Sequence, residues 1–480
     1  MYLGIDIGTS GVKAIVMDER DQPVAQTAAP LSVSRPRPLW AEQAPEDWWR
    51  AVEEALDSLA ARSPEAMAAV RAVGLSGQML GVTLLDGADR PLRPALLWND
   101  GRATAEGAEL EQRFPDFAER VGCRAMPGFS APKILWLARH EPASLARARQ
   151  VLLTKDYIRL RLTGEAASDR ADSSATLLMD TRAGDWLDGL LAACGIGRAM
   201  LPRLVDSAET AGIVRPHLAA RWHLPKGTPL AGGGGDNMCA GIGVGAVHPG
   251  DAYIGLGTSG VYFVANDRFI PATSAGMHTH RHAVAGLFCQ HAVVLSAGAS
   301  LAWVGSLLRA PDLAGLMAEV EAAKMMPAET PVFTPYLGGE RTPHDDPTLT
   351  ATFSGLTHQT GPLALVQAVM EGVALAVADG HGALIESGAP IGEVSLTGGG
   401  ARSALWASLV AAALGIPLRI QAEAQAGPAL GAARLARQSI GGPLLASSSA
   451  SATLVPVETS LREQLLQKRM LFRKHLDLSR

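Results

Sequence analysis

A chain of 480 residues exceeds what one ordinary hydrophobic core holds, so two domains of roughly 200–250 residues are expected. Hydrophobic residues make up 48%, and the net charge of −5 argues against nucleic acid or an anionic membrane as partner. No apolar run is expected to reach the roughly 18 residues needed to cross a bilayer, Met1 leads straight into a strand with no room for a signal peptide, and four scattered cysteines lack metal-ligand spacing, which together point to a cytoplasmic α/β protein with reduced thiols.

Tyr2–Ile5 and Val12–Met17 read as strands around the turn Gly8-Thr9-Ser10-Gly11, and the peptide returns as Gly257-Thr258-Ser259-Gly260 between Tyr253–Leu256 and Val261–Val264. A glycine-rich turn between strands is a hairpin, and successive N–H groups in such turns form concave anion sites. One copy is ordinary turn chemistry. Two copies suggest related half-structures that offer backbone N–H groups to one polyphosphate from opposite sides. Asp6 precedes the first turn, where its charge would repel phosphate unless a cation such as Mg²⁺ lay between them; capping of its own turn is the bland reading. Lys13 either reaches a phosphate or is an exposed strand lysine.

Pro45-Glu46-Asp47 opens a helix, with proline in the first turn and carboxylates at the positive dipole end. Trp48, Trp49, Val52, Leu56 and Leu59 give it one buried face. Val73-Gly74-Leu75 and Pro94–Trp98 read as short buried strands, each followed by polar residues. Ligands of open α/β folds gather beyond the carboxyl ends of strands. Gln78, Asn99 and Asp100 can therefore bond hydroxyls and Trp98 can cover a sugar's C–H face, although Trp98 suits a core and Asp100 an ion pair with Arg102. Helices are expected near 104–113 and 131–139.

Pro229–Met238 reads as strand then loop, delivering Asp236 to a cleft floor. The run Gly232–Gly235 before it fits either close approach to a substrate or a hinge. In phosphoryl transfer an aspartate orients the attacking hydroxyl and accepts its proton. Asp236 is the candidate for that role and a second candidate neighbour of Mg²⁺. His278, His280 and His282 alternate and would share a strand face; with no carboxylate or cysteine at diagnostic spacing, solvated or hydrogen-bonded histidines are expected there instead of zinc. A long helix is expected from Pro362 to Glu386, capped by Thr360 and stopped at Gly388. Strand Val394–Leu396, a turn at Gly398-Gly399-Gly400 able to underlie a nucleoside, and a helix from Ser403 to Leu414 follow. The serine-rich stretch 447–451 reads as a linker before a charged terminal helix.

These residues resemble the FGGY carbohydrate kinases of the actin, hexokinase and Hsp70 superfamily, nearest to their xylulokinase members. The resemblance rests on GIDIGTSGVK at 4–13, PLWAEQAPEDWW at 38–49, LWNDGR at 97–102, FSAPKILWLARHEP at 129–142, GGGDN at 233–237, GLGTSGVYF at 255–263 and GGGARS at 398–403. It implies two actin-like (ribonuclease H-like) α/β domains, 1–245 and 246–480, facing an interdomain cleft. It implies ATP and Mg²⁺ as cofactors and transfer of a phosphoryl group to a ketopentose, foremost D-xylulose at its terminal hydroxyl. By motif, Asp236 matches the catalytic base, Asp6 the metal-side carboxylate, Met79-Leu80 the sugar contact with Asn237 close by, and Gly257, Thr258 and Gly399 nucleotide contacts, with Ser259 and Gly400 beside them. One departure matters: the xylulokinase pattern has histidine where this chain has Leu80, and a site that bonds a hydroxyl discriminates far better than an apolar one. A deoxyketose, another ketose or a polyol is thus the nearest alternative. An actin- or chaperone-like ATPase is the alternative from a different class. A sugar-sensing regulator would need a DNA-binding segment before the first hairpin. No nucleic-acid or membrane partner is expected, and a homodimer is the candidate assembly.

Overall fold

The computed structural model describes residues 1–421, 427–445 and 452–478, so the serine-rich linker lies outside the described residues. Two mixed sheets organise the chain. In the first, strands run in the order Thr210–Ile213, Pro229–Ala231, Ala72–Gly77, Tyr2–Ile7, Gly11–Met17, Pro23–Pro30, with Gly234–Gly235 also paired to 72–77. The second places Ala452–Val455, Leu418–Gln421, Val394–Thr397, Ala252–Leu256, Gly260–Asn266 and Phe288–Val294 in the corresponding order, and adds His278–Arg281 at its edge.

Pairing directions agree strand for strand. Each sheet has an antiparallel hairpin, a third antiparallel strand outside it, two parallel strands on the other side and an antiparallel edge. The repeated GTSG turn therefore marks a repeated topology.

Helix Pro45–Arg62 lies on the first sheet and buries Trp48, Val52, Leu56 and Leu59, as their spacing predicts. Helix Pro362–Glu386 matches its expected bounds, but its N-cap is Gly361, while Thr360 turns back so that its hydroxyl accepts from Thr357 N. Gly388, at φ +88°, ends it as expected. This helix is also long and apolar enough to cross a membrane, contrary to the expectation that no such run exists. It is a core helix: 89% of its most apolar window is buried in the protein. The expected helices at 104–113 and 404–414 form, the latter capped by Ser403, whose Oγ accepts from Trp406 N. All four cysteines are buried and unpaired.

Helix Gly427–Ser439 departs from its place in sequence. Although encoded late, it packs on the first sheet, where Ala429, Leu430, Ala433 and Ala436 meet Tyr2, Ile15, Met17 and Ala72. Arg434 and Arg437 reach Asp21, in the turn between strands Gly11–Met17 and Pro23–Pro30, at 3.0 and 2.7 Å. Helix Asp236–Gly243 lies against it: an added Cβ on Gly431 would overlap the carbonyl of Cys239. Both helices thus run along the seam between the two sheets.

Candidate active site

Asp6 and Asp236 come together because their strands are neighbours. Asp6 pairs with Ser76, Ser76 pairs with Gly234, and Asp236 follows at the carboxyl end of that short strand. Residues 236–243 form a helix where sequence suggested a loop, so the base candidate sits in a first turn and its carboxylate accepts from Asn237 N at 2.8 Å. Ser76 Oγ donates to Asp6 at 2.9 Å, and Lys13 stands opposite Asp6 across the hairpin. Burial pushes the Asp6 carboxyl up to about 6, against the pull of Ser76 and Lys13. Asp236 rises further, to about 8, first through burial and then through the negative charges of Asp6 and Asp172. Asp172 belongs to a buried cluster directly behind the floor, where Lys155 lies within 2.8 to 3.0 Å of Asp156, Asp169 and Asp172. Fully buried Arg159 donates to the carbonyls of Ala231 and Gly232, anchoring the start of the glycine run. The run is therefore a held backbone platform.

A cleft of about 660 Å³ opens beside the second hairpin, lined by Gly257 and Ser259, by Gly398, Gly399 and Arg402, by Asn237 and Tyr253, and by Gly427 and Pro428. Gly257 and Gly399 face it with bare backbone: a Cβ built on either meets no protein atom closer than 3.6 Å. Thr258 lies in the same turn, its carbonyl taken by Ala297 N and Ala299 N. Gly400 does not face the cleft. It turns inward, where a Cβ would press on Leu256 and Trp406. Tyr253, Arg402 and Pro428 escaped sequence reasoning. Tyr253 reads as a strand aromatic, and Arg402 and Pro428 reach the cleft only through the placement of a 3-10 turn and the seam helix.

On the other side, the first hairpin is joined to the expected sugar loops. Thr9 Oγ1 donates to Gln78 Oε1 and accepts from Trp98 Nε1, both at 3.0 Å. Gly8 N closes the hairpin on Gly11 O, and Ser10 is exposed at its tip. Trp98 is 45% exposed, so its ring is open to a ligand. Asn99 Oδ1 is buried with no hydrogen-bond partner among the described residues. Met79 packs against Gly235, with Asn237 Nδ2 3.7 Å from its sulfur. Leu80, partly exposed, adopts φ +68°.

Two expected contacts are internal. Gln78 is buried, with its amide spent on Gln43 Oε1 and its oxygen on Thr9. Asp100 is buried too, its oxygens occupied by Ala41 N and Arg102, whose guanidinium also pairs with Glu42 and stacks 3.5 Å from Trp40. Both shape the loops from behind, because a buried carboxylate or amide bonds what packing supplies.

In the histidine tract the hydrogen-bonded expectation holds for His278 and His282, whereas the solvated one and the shared strand face for all three do not. His278 and His280 are buried in the edge strand and face Phe129, with burial lowering both. His282 lies past the strand end, against Ala246 O. His291 from the next strand joins the first two, their ring nitrogens within 4.8 Å of one another. Arg341, which can only donate, takes His278 Nε2 at 3.2 Å. A neutral imidazole has one lone pair, so that ring has none left for a metal ion.

Relatives carry the same architecture. Residues 1–243 match the N-terminal domain, and residues 252–439 the C-terminal domain, of the FGGY family of carbohydrate kinases. The chain is 44% identical over 437 residues to the xylulose kinase of Escherichia coli (strain K12), covering 91% of this chain and 90% of that protein. It is 33% identical over 437 residues to the xylulose kinase of Bacillus subtilis (strain 168), covering 90% and 87%. Among solved structures, a "xyloylose kinase" from Brucella ovis superposes with a TM-score of 0.95 at 41% identity, covering 99% of each chain. Paired hairpins, facing carboxylates and a bare-backbone cleft thus stand in a known setting: the chain belongs to the FGGY family of carbohydrate kinases.

Proposed function

We propose that this kinase transfers the γ-phosphoryl group of ATP to the terminal hydroxyl of a ketopentose, D-xylulose foremost. The observation that carries this reading is the meeting of Asp6 and Asp236 on one floor between the hairpin cleft and the Trp98–Leu80 loops. Xylulose kinases at 44% and 33% identity support the choice of sugar. The triphosphate lies along Gly257–Ser259 and Gly8–Ser10, the nucleoside against Gly399, and the sugar against Trp98, Asn99, Met79, Leu80 and Asn237.

Asp236 orients the attacking hydroxyl and takes its proton. Burial and the nearby carboxylates make it a stronger base than a solvated aspartate, which favours proton removal once it is ionised. Two hard carboxylates that oppose each other's ionisation fit a divalent cation, and Asp6 with Asp236 would hold Mg²⁺, which neutralises phosphate charge when bound. Closure of the two halves, dividing near residue 245, excludes water that would otherwise accept the phosphoryl group.

An ADP-release assay over D-xylulose, L-xylulose, D-ribulose, ribitol, erythritol and deoxyxylulose tests the reading. D-xylulose should be turned over fastest, and release without any acceptor should stay near background. Equal release with no sugar would instead favour a bare ATPase. Leu80 supports a second reading, a less hydroxylated ketose, because it offers no hydrogen bond. Leu80→His should raise kcat/KM for D-xylulose by about tenfold, the worth of one hydrogen bond; an unchanged or lower value supports the deoxy substrate.

Gly399→Val gives an independent check on the nucleotide. Its side chain would enter open cleft, so KM for ATP should rise by about 10–100-fold, as when a contact is blocked, with an unchanged melting temperature. A normal KM for ATP would place the nucleoside elsewhere.

A further inference from the structure

We infer that Lys133 is a positioning residue for the sugar side of the cleft, tying the Leu80 loop to the Trp98 loop and holding Leu80 in its left-handed conformation. The inference rests on the proposed placement of the sugar at these loops.

Lys133 lies in helix Ser130–His140 with no exposed surface, and among the described residues no carboxylate forms an ion pair with its ammonium. All its hydrogen bonds go to main-chain carbonyls: Leu80 O at 2.8 Å, Leu97 O at 2.8 Å and Leu96 O at 3.3 Å. An ammonium has three donors, so these acceptors use its full capacity. Burial draws its pKa down to about 7, countered in part by Asp100. A buried cation whose nearby carboxylate, Asp100, is already spent on Ala41 N and Arg102 is expensive, and an apolar side chain of similar length would fill the same space more cheaply. Its distinguishing effect is what it joins.

Leu80 needs such a hold. At φ +68° a leucine sits in a region that favours glycine or asparagine, where Cβ crowds the backbone. Its carbonyl is gripped twice, by Lys133 and by Ser130 Oγ at 3.0 Å. These bonds offset the strain and set the direction of the side chain. The same ammonium reaches Leu97 O, one residue before Trp98. The apolar contact and the exposed indole are thereby held at a fixed spacing before sugar arrives, and preorganisation of this kind is read as affinity.

Lys133→Met should raise KM for the sugar best used by the wild type by about 10–100-fold, since it removes charge-assisted bonds, with KM for ATP within about twofold. Lys133→Gln keeps two N–H donors and should give an intermediate rise; it serves if the methionine variant does not fold. Leu80→Gly removes both side chain and strain, so the double variant Lys133→Met/Leu80→Gly should lose less than the product of the two single losses. A parallel rise in both KM values, an unchanged sugar KM in the lysine variants, or losses that multiply would each overturn the inference. If wild type accepts no sugar in the panel, the kinase reading itself falls, which is a separate result.

Discussion

Replacing Asp236 with asparagine should lower phosphoryl transfer by about 10²–10⁴-fold, the usual worth of a general base, while leaving ATP binding measurable and the protein more stable. The two effects have one origin. Burial and the charges of Asp6 and Asp172 raise the Asp236 carboxyl from 3.8 to about 8. In the unfolded chain it ionises at its ordinary value, so the folded state holds a proton that the unfolded state has released. Wild-type stability from this group is complete below about pH 4 and is lost as pH rises toward 8. Asparagine keeps the shape and the bond from Asn237 N but never ionises. In EDTA, urea unfolding should therefore show the variant ahead by on the order of 2–5 kcal/mol at pH 8, with the gap narrowing at pH 5. Near-normal turnover would remove the base assignment. A stability gain independent of pH would remove the electrostatic cause.

Alanine at Gly74 or Gly431 should be among the most damaging small substitutions in the protein. A Cβ on Gly74 would overlap the Ala432 carbonyl, and one on Gly431 the Cys239 carbonyl. Both obstacles are main chain of closely packed elements and cannot swing aside, so a loss of about 3–5 kcal/mol is expected for each. Helix 427–439 also brings Gly427 and Pro428 to the cleft proposed for the nucleotide, so KM for ATP should rise in whatever protein folds. Gly382, with nothing near its Cβ in helix 362–386, is the control. Alanine there should be neutral or stabilising by about 0.4–1 kcal/mol. Denaturant midpoints of the three variants decide the matter: if Gly431→Ala unfolds like Gly382→Ala, the tight seam is not real.

Much of the site lies where local chemistry speaks. GTSG closes a hairpin wherever it is placed, because glycine and small hydroxyl residues satisfy a tight turn without help from afar. Asp6 follows from the same peptide. Gln78 and Asp100 lie on the loops proposed to take the sugar and read as polar contacts, yet each is spent on neighbours, Gln43 and Thr9 for one, Ala41 and Arg102 for the other. Those partners come from 35 to 69 residues away, except for Arg102, two residues on. Gly400 and Gly399 are identical in sequence, and only the turn decides that one faces the cleft and the other Trp406.

By itself the sequence determined the two hairpins and their strands, the long core helix from 362 to 386 and the pair of aspartates, since hydrophobic period and turn chemistry act within a few residues. Only the tertiary structure decided that helix 427–439 covers the first sheet, that the histidines are buried, and that Lys133 binds two loops at once. The reason is physical: a residue's neighbours in the chain fix which face it shows, while packing between distant segments fixes what that face meets.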